Sequence, residues 1–388
     1  MSLSLRFNQD ISLQRFVDEY WQQRPLLLRQ AIDPNLLTFP ADELAGLACE
    51  EGIESRLIQQ VTENEWDLRH GPLEESVFST LPDSHWTLLV QDVDKHIPEV
   101  AHLLDAFDFL PDWRIDDIMI SYATDEGGVG PHTDNYDVFL VQTQGQRRWR
   151  LSEREYRDED LLADCPLRVL KEFSTDEDWV LNPGDVLYLP PRLAHWGTAV
   201  GECMTWSIGM RGPSQHELLD AWLQYRAETH PTTHFRDSLS SPRQPAAQVT
   251  QQEFDAARTL MQDLLPLDTP EFQRWFGGYV TEPKPGFEIA PLEQPIEAAE
   301  LKTSVKAGRA LHRHPWARIA CVDLHNQGLA LCSQGQCFPL PRDLSNGLDL
   351  VASNRHLEPD HLLAIEPQTP FWQWLAQLAN HGILELDD

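Results

Sequence analysis

Between residues 86 and 210 the chain is cut into short apolar runs bounded by glycine, proline or aspartate. The runs cover residues 86–91, 117–122, 137–141, 147–151, 185–189 and 204–210. Segments this short, with turn residues between them, cannot form long helices and read as the strands of a β-sandwich or barrel. Ahead of them, residues 13–21 are amphipathic at helical spacing. Arg24-Pro25-Leu26-Leu27-Leu28-Arg29 then reads as an extended apolar strand.

The character changes near Gly212. Ser214 followed by Glu217 predicts a capping box, with Leu218, Leu219, Trp222 and Tyr225 on one helical face. Phe254, Ala257, Leu260, Met261, Leu264 and Leu265 form a second such face. Thr269-Pro270 predicts the start of a third helix running through Phe276, with Gly277-Gly278 as its end. Wide apolar faces on a small helical insert either pack on the barrel or pair two copies of the chain. Pro283, Pro285, Gly286, Pro291 and Pro295 mark a linker. Beyond it, residues 329–332 and 336–340 read as a hairpin and 371–379 as a helix, a combination resembling a winged helix. The expected division is 1–212, 213–282 and 283–388.

With 388 residues the chain exceeds what one core usually serves. Its formal net charge of -32 repels nucleic acid phosphates and attracts a basic partner. No nucleic acid binding is therefore expected, in spite of the winged-helix pattern. The six cysteines contain no CxxC pair, and reduced, structural thiols are expected. The opening residues lack a basic stretch followed by an apolar run, and no window is apolar enough for a membrane span, so the expected location is cytoplasmic.

The chemistry concentrates in Gly127-Gly128-Val129-Gly130-Pro131-His132-Thr133-Asp134. If this glycine-rich turn leads into a strand, His132 and Asp134 project to one side. An imidazole and a carboxylate so placed supply two of the three ligands of a facial triad. Asn182-Pro183-Gly184-Asp185, then a strand, then Pro190-Pro191, place His195 as the third. Two histidines and one carboxylate leave iron positions open for a cosubstrate and dioxygen, whereas zinc favours a closed or single-water site. The usual cosubstrate, 2-oxoglutarate, carries a distal carboxylate that needs a buried cation. Arg147 and Trp149 alternate with Gln146, Arg148 and Arg150, and the Arg147 face is the expected interior one. A guanidinium grips a carboxylate bidentately.

On these residues the chain resembles the JmjC-domain ribosomal oxygenases, and within them the bacterial arginine-hydroxylating branch. The resemblance is carried by segments 21–29, 112–121, 128–139, 145–149, 183–195 and 207–209, in that order, and runs nearly full length. It implies a mainly β fold with helices: a double-stranded β-helix of the cupin/JmjC jelly-roll type, then a helical dimerisation region and a winged-helix-like C-terminal domain. It implies that His132, Asp134 and His195 bind Fe(II) and that Arg147 binds 2-oxoglutarate. The implied reaction uses dioxygen to hydroxylate the β-carbon of an arginine in a basic large-subunit ribosomal protein, by a homodimer. A substrate guanidinium entering a barrel needs a carboxylate. Asp117 shares a strand face with Met119 and Ser121, away from apolar Ile118, Ile120 and Tyr122, and is the expected partner. Tyr136, by its parity with His132 and Asp134, and Ser207 on a late strand are expected to flank it. Rival readings are a hydroxylase of another residue or protein, a non-catalytic cupin-like binding module, and a zinc or manganese cupin isomerase.

Overall fold

Nine strands of the first part of the chain form one sheet: β1 (Leu26–Leu28), β2 (Ser55–Thr62), β3 (Glu65–His70), β4 (Trp86–Val90), β5 (Ile115–Ala123), β6 (Val138–Ser152), β7 (Glu177–Leu181), β8 (Val186–Leu189) and β9 (Ala194–Met210). The computed structural model describes residues 3–7, 11–236, 247–365 and 369–387. The order is β1-β8-β6-β9-β5-β4-β2-β3, with β7 on the second half of β6. The chain divides into two compact units, Met1–Gly212 and Pro213–Asp388.

Two strands organise the first unit. The predicted runs 137–141 and 147–151 are parts of one 15-residue strand, β6, and the run 204–210 is the second half of the 17-residue β9. Gly145 is therefore not a turn between strands. It sits with positive φ where the β6–β9 register shifts, and a Cβ there would lie 2.0 Å from the Glu202 carbonyl oxygen. Such a bulge bends the pair without ending it. The first half of β6 pairs with β8 and the second with β7, so the bent pair carries two sheet regions. β2, β3 and β7 were not read from the sequence, because their polar composition hides the period-2 signal.

Alternate residues separate two cores, as a pleated strand requires. Phe139, Val141, Ile118, Ile120, Trp206 and Ile208 face the N-terminal helices in one cluster. Helix Leu13–Glu19 is capped by Ser12, whose side chain accepts from the Arg15 amide, and it drives Phe16 into this cluster. There Phe16 lies edge-on to Tyr188 at 5.1 Å between ring centroids. Val138, Leu140, Trp149, Leu151, Leu181, Leu187 and Leu189 face the other way. Ile58, Trp66, Leu89 and Val169, with Met119 against them, form a second wall.

In the second unit the Ser214/Glu217 capping box opens helix Gln215–Thr229, and Thr269 caps helix Pro270–Tyr279, with Pro270 at its start. Gly277 and Gly278 do not end that helix; both lie inside it and are buried. A Cβ on Gly277 would sit 2.7 Å from Cys332 Sγ, and one on Gly278 would sit 2.8 Å from the Gly335 carbonyl oxygen. The glycines serve close packing, which outweighs their helix-breaking tendency. The hairpin is present as Leu329–Ser333 and Gln336–Leu340, joined by Ile319–Asp323 into a three-stranded sheet. Helix Thr369–Asn380 covers it and buries Phe371, Trp372, Trp374 and Leu375. Cys332 and Cys337, expected as reduced thiols, are direct cross-strand partners with Cα atoms 3.9 Å apart and form a disulfide. Cys49, Cys165 and Cys203 are free thiols. No helix among the described residues is long and apolar enough to cross a membrane.

Candidate metal centre and cosubstrate pocket

The glycine-rich stretch is laid along the start of β9. Ala199 donates its N–H to the Gly127 carbonyl, and His132 and His195 exchange two backbone hydrogen bonds of 3.0 and 2.9 Å. That single bridge replaces the expected strand: residues 133–136 bend away, and β6 begins only at Val138. The bend does not separate the ligand candidates. His132, Asp134 and His195 each offer one ligand atom within 4.8 Å of the others, the only such group among the described residues. Asp134 Oδ2 lies 3.8 Å from His132 Nε2 and 3.5 Å from His195 Nε2.

The hydrogen bonds fix which nitrogens are available. His132 Nδ1 lies 2.9 Å from the Gly130 carbonyl oxygen, and His195 Nδ1 lies 2.9 Å from that of Leu193. A carbonyl only accepts, so each Nδ1 carries the proton and each Nε2 turns a lone pair toward Asp134. Burial, and then the neighbouring His132, push His195 down to about 4, so this imidazole is neutral near pH 7. Two imidazoles and a carboxylate grouped in this way suit a divalent metal with open positions.

Two residues along each strand, the same face carries the cation. β6 and β9 set Leu151 opposite His195, Trp149 opposite Gly197 and Arg147 opposite Ala199. The alternation read from the sequence holds: Arg147 is 4% exposed and Trp149 6%, whereas Gln146 and Arg148 are exposed. Arg147 donates from Nη1 to Ser121 Oγ at 3.4 Å, and its guanidinium also contacts Cys203. Its Nε has no hydrogen-bond partner, and it makes no ion pair with a carboxylate among the described residues. Burial holds Arg147 below the usual arginine range. A buried guanidinium left this way is a receptor for an anion, since an unsatisfied buried charge is costly.

Gly128 and Gly197 seal this region. A Cβ on Gly128 would meet the Gly197 carbonyl oxygen at 2.3 Å, and one on Gly197 would meet the Trp149 ring at 2.7 Å. The Trp149 ring in turn lies 5.8 Å from the His195 ring.

Asp117 is 5% exposed and pairs with Gly209 on β9. On its face of β5 come Met119, against the apolar wall, and Ser121, against Arg147. Asp117 and Ser121 are four residues apart, roughly 13 Å along a strand, so the carboxylate lies well away from the buried cation. Tyr136 is 44% exposed. Burial, and then the negative charges of Asp134 and Asp117, raise its pKa above the tyrosine range. Ser207 is the cross-strand partner of Met119 and of Leu140, and is buried on the same face. The candidate residues thus share one surface of the sheet. Sequence reasoning gave no role to Ser121, Cys203, Gly128 or Gly197. Ser121 was on the correct face, but the contacts of all four depend on strand register. Arg56, whose charge reaches Tyr136, lies on a strand the sequence did not disclose.

Comparison with known proteins agrees with this architecture. A JmjC domain model matches residues 102–218, and a ROXA-like winged helix model matches 258–385. The chain is 34% identical over 372 residues to the ribosomal protein uL16 3-hydroxylase of Escherichia coli, covering 95% of each chain. It is 34% identical over 258 residues to a probable ribosomal oxygenase of Haemophilus influenzae, covering 64% of this chain and 63% of that one. The crystal structure of E. coli YcfD superposes with a TM-score of 0.83 at 33% identity over the full length of both chains. YcfD in complex with cobalt and 2-oxoglutarate superposes with a TM-score of 0.82. A chain with this pair of domains, aligned end to end with such a relative, belongs to the JmjC-domain ribosomal oxygenase family.

Proposed function

We propose that this chain is a 2-oxoglutarate-dependent hydroxylase that adds one oxygen atom to the β-carbon of an arginine in ribosomal protein uL16. The observation that carries it is the pairing of the His132, Asp134 and His195 cluster with a buried guanidinium that no described carboxylate neutralises. His132, Asp134 and His195 hold Fe(II), with the two Nε2 atoms aimed by the carbonyls of Gly130 and Leu193. Arg147, steadied by Ser121, binds the distal carboxylate of 2-oxoglutarate. The metal and cosubstrate together supply the oxidation: 2-oxoglutarate loses carbon dioxide to become succinate, taking one atom of dioxygen, while the other enters the substrate C–H bond. Trp149, Gly128 and Gly197 exclude water between metal and cation. Asp117 pairs the substrate guanidinium, and Tyr136 and Ser207 flank it.

The partner chemistry fits the charge. A chain of net charge -32 steers a basic ribosomal protein toward itself and repels bare phosphate backbones. The helical region supports a homodimer, because Phe254 is 59% and Met261 67% exposed beside exposed Leu264, Leu265 and Leu267. Apolar surface of this kind marks an interaction site. A Phe254→Glu/Met261→Glu double variant should sediment as a monomer where the parent is a dimer. Location in the cytoplasm follows from the ribosomal substrate.

The test is mass spectrometry of a uL16 peptide incubated with the protein, Fe(II), ascorbate and 2-oxoglutarate. A gain of one oxygen on an arginine, lost in His132→Ala, is the expected result. Consumption of 2-oxoglutarate without a modified peptide would leave the oxygenase and discard this substrate. A zinc-requiring reaction with no such consumption would favour the isomerase reading.

A further inference from the structure

Asp117 sits at an irregularity of its strand. The β5–β9 register shifts between Ile115 and Asp117, so Asp116 interrupts the ladder. A bulge of this kind locally disrupts the ladder and re-aims the following side chain. Replacement contacts come from the turn after β4. Lys95 donates to the Asp116 carbonyl at 2.9 Å. The Asp92 amide donates to Asp117 Oδ2 at 2.9 Å. Asp94 Oδ1 accepts from the Ile118 amide at 2.7 Å. Three consecutive residues of β5 are thus held by residues 92–95.

The turn is itself locked. Asp92 adopts a left-handed conformation, φ 55° and ψ 26°, as the cap of the short helix Val93–His96. An aspartate accepts this at a cost that surrounding contacts must offset. The offset is an ion pair between the Asp92 carboxylate and Lys95, with Lys95 also 3.8 Å from Asp94 Oδ2. All three side chains are less than a tenth exposed. From the opposite side, a Cβ on Gly209 would lie 3.1 Å from Asp117 Oδ1. The carboxylate is therefore held at Oδ2, and the missing side chain of Gly209 keeps the space beside Oδ1 clear.

We propose that the buried turn Asp92–Lys95 is the positioning element that aims Asp117 at the substrate guanidinium and so sets the preference for arginine. The proposal rests on the reading that Asp117 receives that guanidinium. Lys95 touches neither substrate nor metal in it; it acts through Asp116 and the carboxylate beside it. Polar groups buried this thoroughly and directed at three successive residues are more than a strand end needs.

The experiment compares Lys95→Met, Asp92→Gly and Asp117→Asn in the full-length protein. It measures KM and kcat for an arginine peptide, turnover of a peptide with citrulline at the target position, and uncoupled 2-oxoglutarate consumption. Asp92→Gly keeps the amide donor and suits positive φ, so it reports on the Lys95 anchor even where Lys95→Met does not fold. Both variants should raise the peptide KM about tenfold or more and narrow the arginine–citrulline preference, with uncoupled consumption unchanged. A KM raised by Asp117→Asn alone overturns the positioning role and leaves Asp117 as the substrate's partner. No effect of Asp117→Asn overturns both. A parallel fall in coupled and uncoupled turnover makes the turn merely structural and overturns the proposal.

Discussion

Substitution of Arg147 separates cosubstrate binding from stability. Replacement by methionine removes the guanidinium and keeps much of the side chain's length. If Arg147 makes two charge-assisted hydrogen bonds to the distal carboxylate, each contributing about 1.5–3 kcal/mol, the loss is roughly 3–6 kcal/mol. At about 1.4 kcal/mol per factor of ten, KM for 2-oxoglutarate should rise by roughly two to four orders of magnitude. The same structure predicts the opposite sign for the free protein's stability. Arg147 is 4% exposed with an unpartnered Nε, and an unsatisfied buried polar group costs about 1–3 kcal/mol. Methionine ends that cost, so the midpoint of thermal unfolding without cosubstrate should stay level or rise. Arg147→Lys should fall between, because an ammonium cannot grip both oxygens. The assays are a 2-oxoglutarate titration followed by succinate formation, and differential scanning calorimetry of the protein alone. A methionine variant that saturates within threefold of the parent's 2-oxoglutarate concentration would refute the assignment. A collapse in its thermal stability would show that Arg147 is held by partners, not poised for a ligand.

Gly197→Ala should cost about 1–3 kcal/mol by overpacking, since its methyl would press into Trp149 and through it on His195; cobalt titration should weaken together with urea stability. Asp185 is the anchor of the turn before β8. Burial would raise its pKa, but the amides of Asn182 and Gln30 and the Arg29 guanidinium outweigh burial and hold it below the usual range. A depressed pKa contributes stability that is fully present above the unfolded-state value near 4 and is lost as pH falls through the folded value. Asp185→Asn should therefore destabilise the protein at pH 7, with the difference shrinking below about pH 4 in chemical denaturation. Tyr188→Phe removes a donor 2.6 Å from the fully buried Asp137 and should cost about 1–3 kcal/mol in urea. KM for a basic substrate peptide should climb with salt, because the acid-rich surface attracts it through a screened field; a salt-independent KM would reduce the charge to a solubility device.

Features that depend on near neighbours were legible in the amino-acid sequence. Strand alternation separated Arg147 and Trp149 from Arg148, and Asp117 and Ser121 from Ile118 and Ile120. Caps at Ser214 and Thr269 fixed helix starts, and the spacing of His132 and Asp134 marked the ligand pair. Each of these is set by a few consecutive backbone angles, which the local residues control. Tertiary structure decided the rest. The continuity of β6 through Gly145, the bulge at Asp116 and the pairing of Trp149 with Gly197 come from strands brought together across long stretches of chain. The same holds for Gly277, a helix breaker in sequence and a contact surface for Cys332 in the fold, and for Cys332 and Cys337, whose pairing needs hairpin register. The candidate metal cluster combines the two levels. His132 and Asp134 converge through a one-residue bridge to His195 and a bend, not through a strand, because hydrogen bonds between segments some sixty residues apart outweigh local preference.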